Sequence, residues 1–295
     1  MICLQVEQLT KQFGAHTVVE AVSFELQANS STALIGPNGA GKTTTLSMLT
    51  GLLTPTTGNI VMPGVKDIRQ EIGFLPQYPQ FFSWMTGLEF VEMSAKLSGV
   101  PAKEAKMKAR KMLEFVGLGD ALNKKTVTYS GGMRQRLGIA QAIVHSPKLI
   151  LLDEPVSALD PVGRREMMDL LKQLQETATI LYSTHILNDA EQMTDQVLFL
   201  RDGKLVEQGS LAEVRARYDE PKIQIDFATT TDAARFADST QNVSVNGSTV
   251  SIIVADNAPT MQHVIEHLST QKLDVLKVER VTTSLEEIFM KVAHK

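Results

Sequence analysis

Residues 36–43 read G-P-N-G-A-G-K-T, a spacing of residue types suited to holding phosphate. The glycines let successive backbone N–H groups converge on phosphate oxygens. Lys42 brings a point charge to the β- and γ-phosphates, and the Thr43 hydroxyl can ligate Mg2+. The candidate nucleotide contacts are Gly36, Pro37, Asn38, Gly39, Ala40, Gly41, Lys42, Thr43 and the adjoining Thr44. Both flanks fit such a loop. Residues 32–35 are an apolar run suited to a buried strand, and Leu46, Leu49 and Leu53 recur at helical spacing. The loop is therefore expected to open a helix over 44–53 whose N-terminus favours anions.

A second group lies in K-L-I-L-L-D-E-P, residues 148–155. The apolar run 149–152 predicts a central strand of a parallel sheet, with Asp153 and Glu154 at its carboxyl end, where such sheets place ligands. Neighbouring strand residues point to opposite faces, so the carboxylates act at one site only if the strand stops there. Pro155 supplies the stop. Asp153 is then placed for the Mg2+ shell and Glu154 for the attacking water as a general base. A third group, Ser130, Gly131 and Gly132, precedes the amphipathic run 137–144 and makes another helix N-terminus fit for an anion. One nucleotide does not need two such sites from one chain, so this one is expected to serve the nucleotide of a second copy.

The rest of the chain has to position these groups. With 295 residues, 43% of them hydrophobic, it has apolar material for one large domain or two. A net charge of −4 gives no electrostatic reason to expect nucleic acid as a partner. The single cysteine, Cys3, cannot form an internal disulfide, in keeping with a reducing compartment. No segment reads as a secretion signal, and no stretch approaches the roughly 18 apolar residues of a membrane span. Any membrane role is expected to come through a partner.

In their order along the chain, these motifs resemble those of the nucleotide-binding subunit of an ABC transporter, over roughly residues 2–215. The resemblance implies ATP and Mg2+ as cofactors and assigns further residues. Phe13, in K-Q-F-G, matches the aromatic that stacks on adenine; residues 36–43 match the Walker A loop. Gln77, in I-G-F-L-P-Q, matches the Mg2+-ligating and coupling glutamine, which makes Thr43, Gln77 and Asp153 the implied metal ligands. Residues 129–133 match the signature motif, and 149–154 the Walker B strand with Glu154 as its catalytic glutamate. Asp160 closes the S-A-L-D of a D-loop, and His185, in Y-S-T-H, matches the switch histidine that senses the γ-phosphate. The pattern is departed from at three places. Tyr129 and Met133 stand where the signature usually has Leu and Gln, Ala158 replaces a Gly of the D-loop, and Asn29-Ser30 replace Gly-Glu. None removes a catalytic group, so an active ATPase is expected.

The implied fold is α/β: a P-loop ABC ATPase cassette over 1–217, with a helical subdomain at about 78–140, followed by a small α+β domain over 218–295. In the helical part Met93, Leu97 and Val100, then Met107, Met112, Leu113 and Val116, recur at helical intervals. The aromatic entrance, Tyr78, Phe81, Phe82 and Trp84, either lines a groove for a cytoplasmic helix of a membrane subunit or fills the subdomain core. The basic run 103–111 reads as a solvated face. After the polar break 219–222, residues 223–227 alternate strictly, a helix is expected near 231–238, and Asn246-Gly247 signals a hairpin within 242–254. A helix near 259–271 and a strand near 273–281 complete a ferredoxin-like order. The ending 284–292 resembles the tail of ATPases serving type-2 ABC exporters. His263, Glu266 and His267 match a zinc-peptidase spacing, read here as chance because no third ligand is evident.

The function expected is an ATPase subunit, peripheral on the cytoplasmic face of the cell membrane. It would dimerise around MgATP and drive export through a separate permease. A soluble regulatory ABC ATPase is disfavoured by the single phosphate loop, and an importer subunit by the tail. The short distance from Lys42 to the signature leaves no room for the coiled coil of a chromosome-maintenance ATPase.

Overall fold

A computed structural model describes residues 1–157, 159–218, 220–240, 243–254 and 260–293; Ala158 of the D-loop match, Asp219 of the polar break, Asn242 before the hairpin and position 259 lie outside them. The chain divides into two compact units, Met1–Leu211 and Ala212–Lys295. Among the described residues, no helix is long and apolar enough to cross a membrane.

The first unit opens with β1 (Ile2–Phe13) and β2 (His16–Gln27), then β3 (Ser31–Ile35), α1 (Lys42–Leu49), β4 (Thr57–Val61) and β5 (Ile72–Leu75). Three helices follow, α2 (Gly87–Leu97), α3 (Ala102–Phe115) and α4 (Gly131–Ile143). The unit continues with β6 (Leu149–Asp153), α5 (Pro161–Gln175), β7 (Thr179–Thr184), α6 (Leu187–Met193), β8 (Gln196–Arg201) and β9 (Lys204–Ser210). The central sheet runs β5-β6-β7-β3-β8-β9, parallel except for β9. β3, β6 and β7 are buried along their whole length, as strands covered on both faces must be, and their apolar runs follow from that. An antiparallel sheet, β2-β1-β4, lies alongside. Leu4, Leu9 and Leu26 from it join Leu46 and Leu49 of α1 and Leu151 of β6 in one buried cluster. α1 stops at Leu49 and does not run to residue 53. The N–H groups of Gly51 and Leu53 turn back to the carbonyls of Met48 and Ser47, which closes the helix end.

The helices α2, α3 and α4 pack on one another, and the expected apolar positions divide: Val100, Leu113 and Val116 are buried, whereas Leu97 and Met107 are exposed. α3 buries Ala105, Ala109 and Leu113, while Met107 is exposed and Leu97 of α2 is 80% exposed. Small side chains at 105 and 109 let the helices approach closely around buried Leu113, while Leu97 and Met107 are turned outward. The aromatic entrance is divided: Phe81 packs edge-on against buried Phe90 at 5.0 Å, whereas Phe82 and Trp84 stack on each other in solvent, with Trp84 69% exposed. Tyr129 is buried, and its hydroxyl donates to Ala121 O at 2.7 Å. A phenol in place of the usual Leu is accommodated because Gly87 lies opposite, where an added Cβ would fall 2.2 Å from the Tyr129 oxygen.

The second unit begins within α7 (Leu211–Tyr218) and continues with β10 (Lys222–Phe227), α8 (Thr230–Asp238), β11 (Val243–Asn246), β12 (Thr249–Ile253), α9 (Met261–Gln271), β13 (Val275–Val281) and α10 (Leu285–Ala293). The antiparallel order β11-β12-β10-β13 is ferredoxin-like. Alternation along β10 sends Ile223, Ile225 and Phe227 into a core with Phe236 of α8 and Val264 of α9. The hairpin turns one residue later than Asn246-Gly247. Asn246 pairs with Thr249, so Gly247 and Ser248 form the loop, and Gly247 takes the first central position with φ of 61°, as two-residue hairpins with a leading glycine do. His267 Nε2 lies 3.0 Å from Ser239 Oγ and 2.9 Å from Gln271 Nε2.

The Gly87–Tyr129 contact is testable. Gly87→Ala is expected to lower stability by roughly 1–3 kcal/mol through overpacking, and Tyr129→Phe by about 1 kcal/mol through the lost hydrogen bond. In the Tyr129→Phe background Gly87→Ala should be milder, because the oxygen it meets is gone. Urea denaturation followed at Trp84, the only tryptophan, reads this part of the fold; strictly additive effects would refute the coupling.

Candidate functional site

The carboxyl ends of β3, β6 and β7 meet at one place. β3 delivers the loop 36–41, and α1 opens at Lys42 directly after Gly41. Gly41 has φ of 100°, and a Cβ there would lie 2.8 Å from Val18 O, so the loop's path requires glycine at this point. Lys42 is only 6% exposed, and its Nζ donates to Gly36 O at 2.8 Å and Pro37 O at 3.0 Å. Burial pushes the Lys42 pKa down, opposed by the carboxylates of Glu154 and Asp153. Ala40 is buried within the loop.

At the end of β6, Asp153 is buried between two hydroxyls. Its Oδ2 accepts from Thr43 Oγ1 at 2.8 Å and its Oδ1 from Ser183 Oγ at 2.5 Å. The chain then turns at Glu154 itself, one residue before Pro155, with φ of 48°. A left-handed conformation costs a non-glycine residue about 1–2 kcal/mol, and several contacts hold it. The Glu154 N–H donates to Ser183 Oγ at 2.9 Å, Oε2 accepts from Gln77 Nε2 at 2.9 Å, and Oε1 lies 3.0 Å from His185 Nδ1. This kink lets adjacent carboxylates of one strand serve a single site, as the sequence requires but by a different device.

Asn38, Gly39, Gly41, Lys42, Thr43, Thr44, Gln77 and Glu154 line an open cavity of about 360 Å³, together with Val18 of β2. Asp153 adjoins it through Thr43 and His185 through Glu154, while Gly36 and Pro37 hold the lysine. Hydroxyl, amide and carboxylate oxygens from Thr43, Gln77 and Asp153 suit a hard divalent cation such as Mg2+, and the buried lysine suits a polyphosphate. Of the expected contacts outside the phosphate loop, Phe13, Ser130, Gly131, Gly132 and Asp160 are not among the residues lining this cavity. Phe13 sits half-exposed at the tip of β1. Ser130 is the N-cap of α4, accepting from Met133 N–H at 3.3 Å, with Gly131 beside it exposed and Gly132 half-buried. Asp160 is the exposed N-cap of α5, accepting from Gly163 N–H at 2.8 Å.

Two contributors escaped the sequence reading. Ser183 bonds both acidic residues, and its only signal is a polar residue at the end of an apolar strand run. Val18 left no signal at all, because it reaches the cavity through the β1–β2 hairpin. The departure at Asn29 has a local cause: φ is 55° there, a conformation in which asparagine is the next best choice after glycine.

Comparison with known proteins adds an independent line. A family model described as ABC transporter matches residues 19–157, and one described as the C-terminal domain of DrrA1-3-like ATP-binding proteins matches residues 209–293. The chain is 41% identical, over 99% of its own length and 99% of the relative's, to the uncharacterized ABC transporter ATP-binding protein YxlF of Bacillus subtilis (strain 168). It is 32% identical, over 98% and 96%, to the bacitracin transport ATP-binding protein BcrA of Enterococcus faecalis. Among solved structures, a dimeric post-hydrolysis state of the ATP-binding cassette MJ0796 bound to ADP and Pi aligns with a TM-score of 0.64 at 28% identity, covering 70% of this chain and 98% of that one.

Ser183→Ala removes a partner from buried Asp153 and from the Glu154 N–H. If this serine positions the two acids, steady-state ATP hydrolysis should fall by roughly 10- to 100-fold, the range seen when an outer-shell partner is lost, with ATP affinity much less affected. A kcat equal to wild type would remove Ser183 from the site.

Proposed function

This chain belongs to the ATP-binding proteins of ABC transporters and is an ATP hydrolase, and from that premise we propose that two copies close around two MgATP molecules to drive export through a separate membrane permease. The observation that carries this reading is the division of the anion-binding parts. One cavity gathers the phosphate loop, Gln77 and Glu154. Ser130, Gly131 and Asp160 stand apart from its lining and exposed at helix N-termini, where they can complete the site of a second copy. That the related MJ0796 cassette forms a dimer is in keeping with it.

In this reading the phosphate loop and Lys42 bind the triphosphate, and Phe13 stacks on the adenine. Thr43, Gln77 and Asp153 would hold Mg2+, which neutralises charge on the β- and γ-phosphates. Glu154, held between Gln77 and His185, orients water and takes its proton. His185 keeps one nitrogen on Glu154 and offers the other to the γ-phosphate. Ser130 to Gly132 and Asp160 act across the dimer.

This chain carries a surface suited to such a permease. A groove of about 610 Å³ runs along α2, walled by Trp84, Met85, Met93 and Leu97 with Glu89 and Lys96. Apolar walls bearing both charges would fit one amphipathic cytoplasmic helix, in keeping with a chain peripheral on the cytoplasmic face of the membrane. The ending 284–292, which resembles the tail of ATPases serving type-2 ABC exporters, favours export over import.

Glu154→Gln is expected to yield a dimer that forms only with ATP, and Lys42→Ala to bind ATP poorly. A Glu154→Gln protein that stays monomeric at saturating MgATP would overturn the sandwich. Tagged Glu154→Gln, recovered from membranes in mild detergent, should bring a multi-span protein with it. Trp84→Ala combined with Leu97→Glu should lose that partner yet keep the ATPase activity of the isolated chain; soluble partners alone in the first experiment would refute the permease.

A further inference from the structure

Phe13 ends β1, opposite His16 of β2, and is 51% exposed. Its ring nevertheless has a specific neighbour. Lys11 sets its Nζ 5.0 Å from the ring centroid while donating to Thr54 O at 2.7 Å. The strand at this point is tied to the segment around Thr56 by two further bonds. Gln12 N–H donates to Thr56 Oγ1 at 3.0 Å, and Thr56 N–H donates to Thr10 O at 2.8 Å. The ammonium is thus anchored to a fixed backbone carbonyl, which holds it in place without cancelling its charge. An ammonium so placed is attracted to the negative face of the ring.

We propose that Lys11 is a positioning residue for the nucleotide base: it covers one face of Phe13, fixes the ring, and leaves the opposite face as the platform on which the purine stacks. The inference rests on the reading of Phe13 as the base-stacking aromatic. A solvent-exposed phenyl ring without such a neighbour samples several orientations, and base binding would have to select one. Pinning the ring beforehand removes that loss, which is how preorganisation raises affinity. Covering one face also restricts the base to a single stacking side.

The experiment compares ATP with inorganic tripolyphosphate, both titrated calorimetrically into the full chain. Lys11→Met is expected to weaken ATP binding by roughly two- to fivefold, the range of one exposed cation–π contact, and to leave tripolyphosphate binding unchanged. Lys11→Arg, which keeps both the cation and a donor for Thr54 O, should restore ATP affinity. In a Phe13→Ala background, Lys11→Met should have no further effect on ATP. Unchanged or tighter ATP binding by Lys11→Met overturns the proposal, as does an equal loss for tripolyphosphate, which would mean a general charge effect on phosphate. Wild-type protein that binds ATP no better than Phe13→Ala does would instead overturn the stacking premise, and failure of wild type to bind either ligand would overturn the nucleotide site itself.

Discussion

Ser183 stands directly across from Asp153 in the parallel pairing of β6 with β7, and Thr184 across from Ile35 in the pairing of β7 with β3. That register decides where each polar group of the site falls. A shift of one residue would turn Ser183 to the other face of the sheet, leaving the Asp153 carboxylate and the Glu154 N–H buried without it. With the register as it is, one hydroxyl donates to Asp153 and accepts from Glu154. The second oxygen of Asp153 then meets Thr43 at the head of α1. Three strand ends and one helix start are joined by two hydroxyls and two carboxylates, and the cavity is shaped around them.

The same arrangement accounts for charge that would otherwise be costly. Lys42, Asp153 and Glu154 are all nearly excluded from solvent, and each buried ion carries a desolvation penalty of several kcal/mol unless it is well satisfied. Here the ammonium sits on two loop carbonyls and each carboxylate on two donors or ring nitrogens. The opposite signs also support one another, since the acids hold the lysine pKa up against burial. Fixed charges and dipoles of this kind act on a polyphosphate without having to reorganise, the condition under which electrostatic stabilisation is strongest.

The helical part solves a different problem. By packing α3 through Ala105, Ala109 and Leu113, it brings helices close together while leaving several large apolar side chains outside. Trp84, Leu97 and Met107 are left at the surface, more apolar area than a solvated face requires, and such patches commonly mark a binding surface. The outward apolar groove in this subdomain is in keeping with the proposed contact to a membrane permease.

Much of this was legible in the sequence, because the relevant signals are local. Apolar runs at 32–35 and 149–152 meant buried parallel strands, the glycines of 36–41 meant a loop around phosphate, and alternation over 223–227 meant a half-buried strand. Each depends on backbone sterics or on which face of one element meets the core. Residues that act through contacts distant in sequence were not legible. Ser183 matters only because of the strand register, Val18 only because a hairpin folds over the phosphate loop, and Lys11 only because its amine finds both Thr54 and Phe13. On α3 the expected stripe held at Leu113 but not at Met107, since helical spacing alone does not show that the first turns are buried through Ala105 and Ala109. Residue types and spacing by themselves determined the chemistry available to this chain; the tertiary structure decided which groups share it, because hydrogen bonds and burial are set by distances that only the packed strands define.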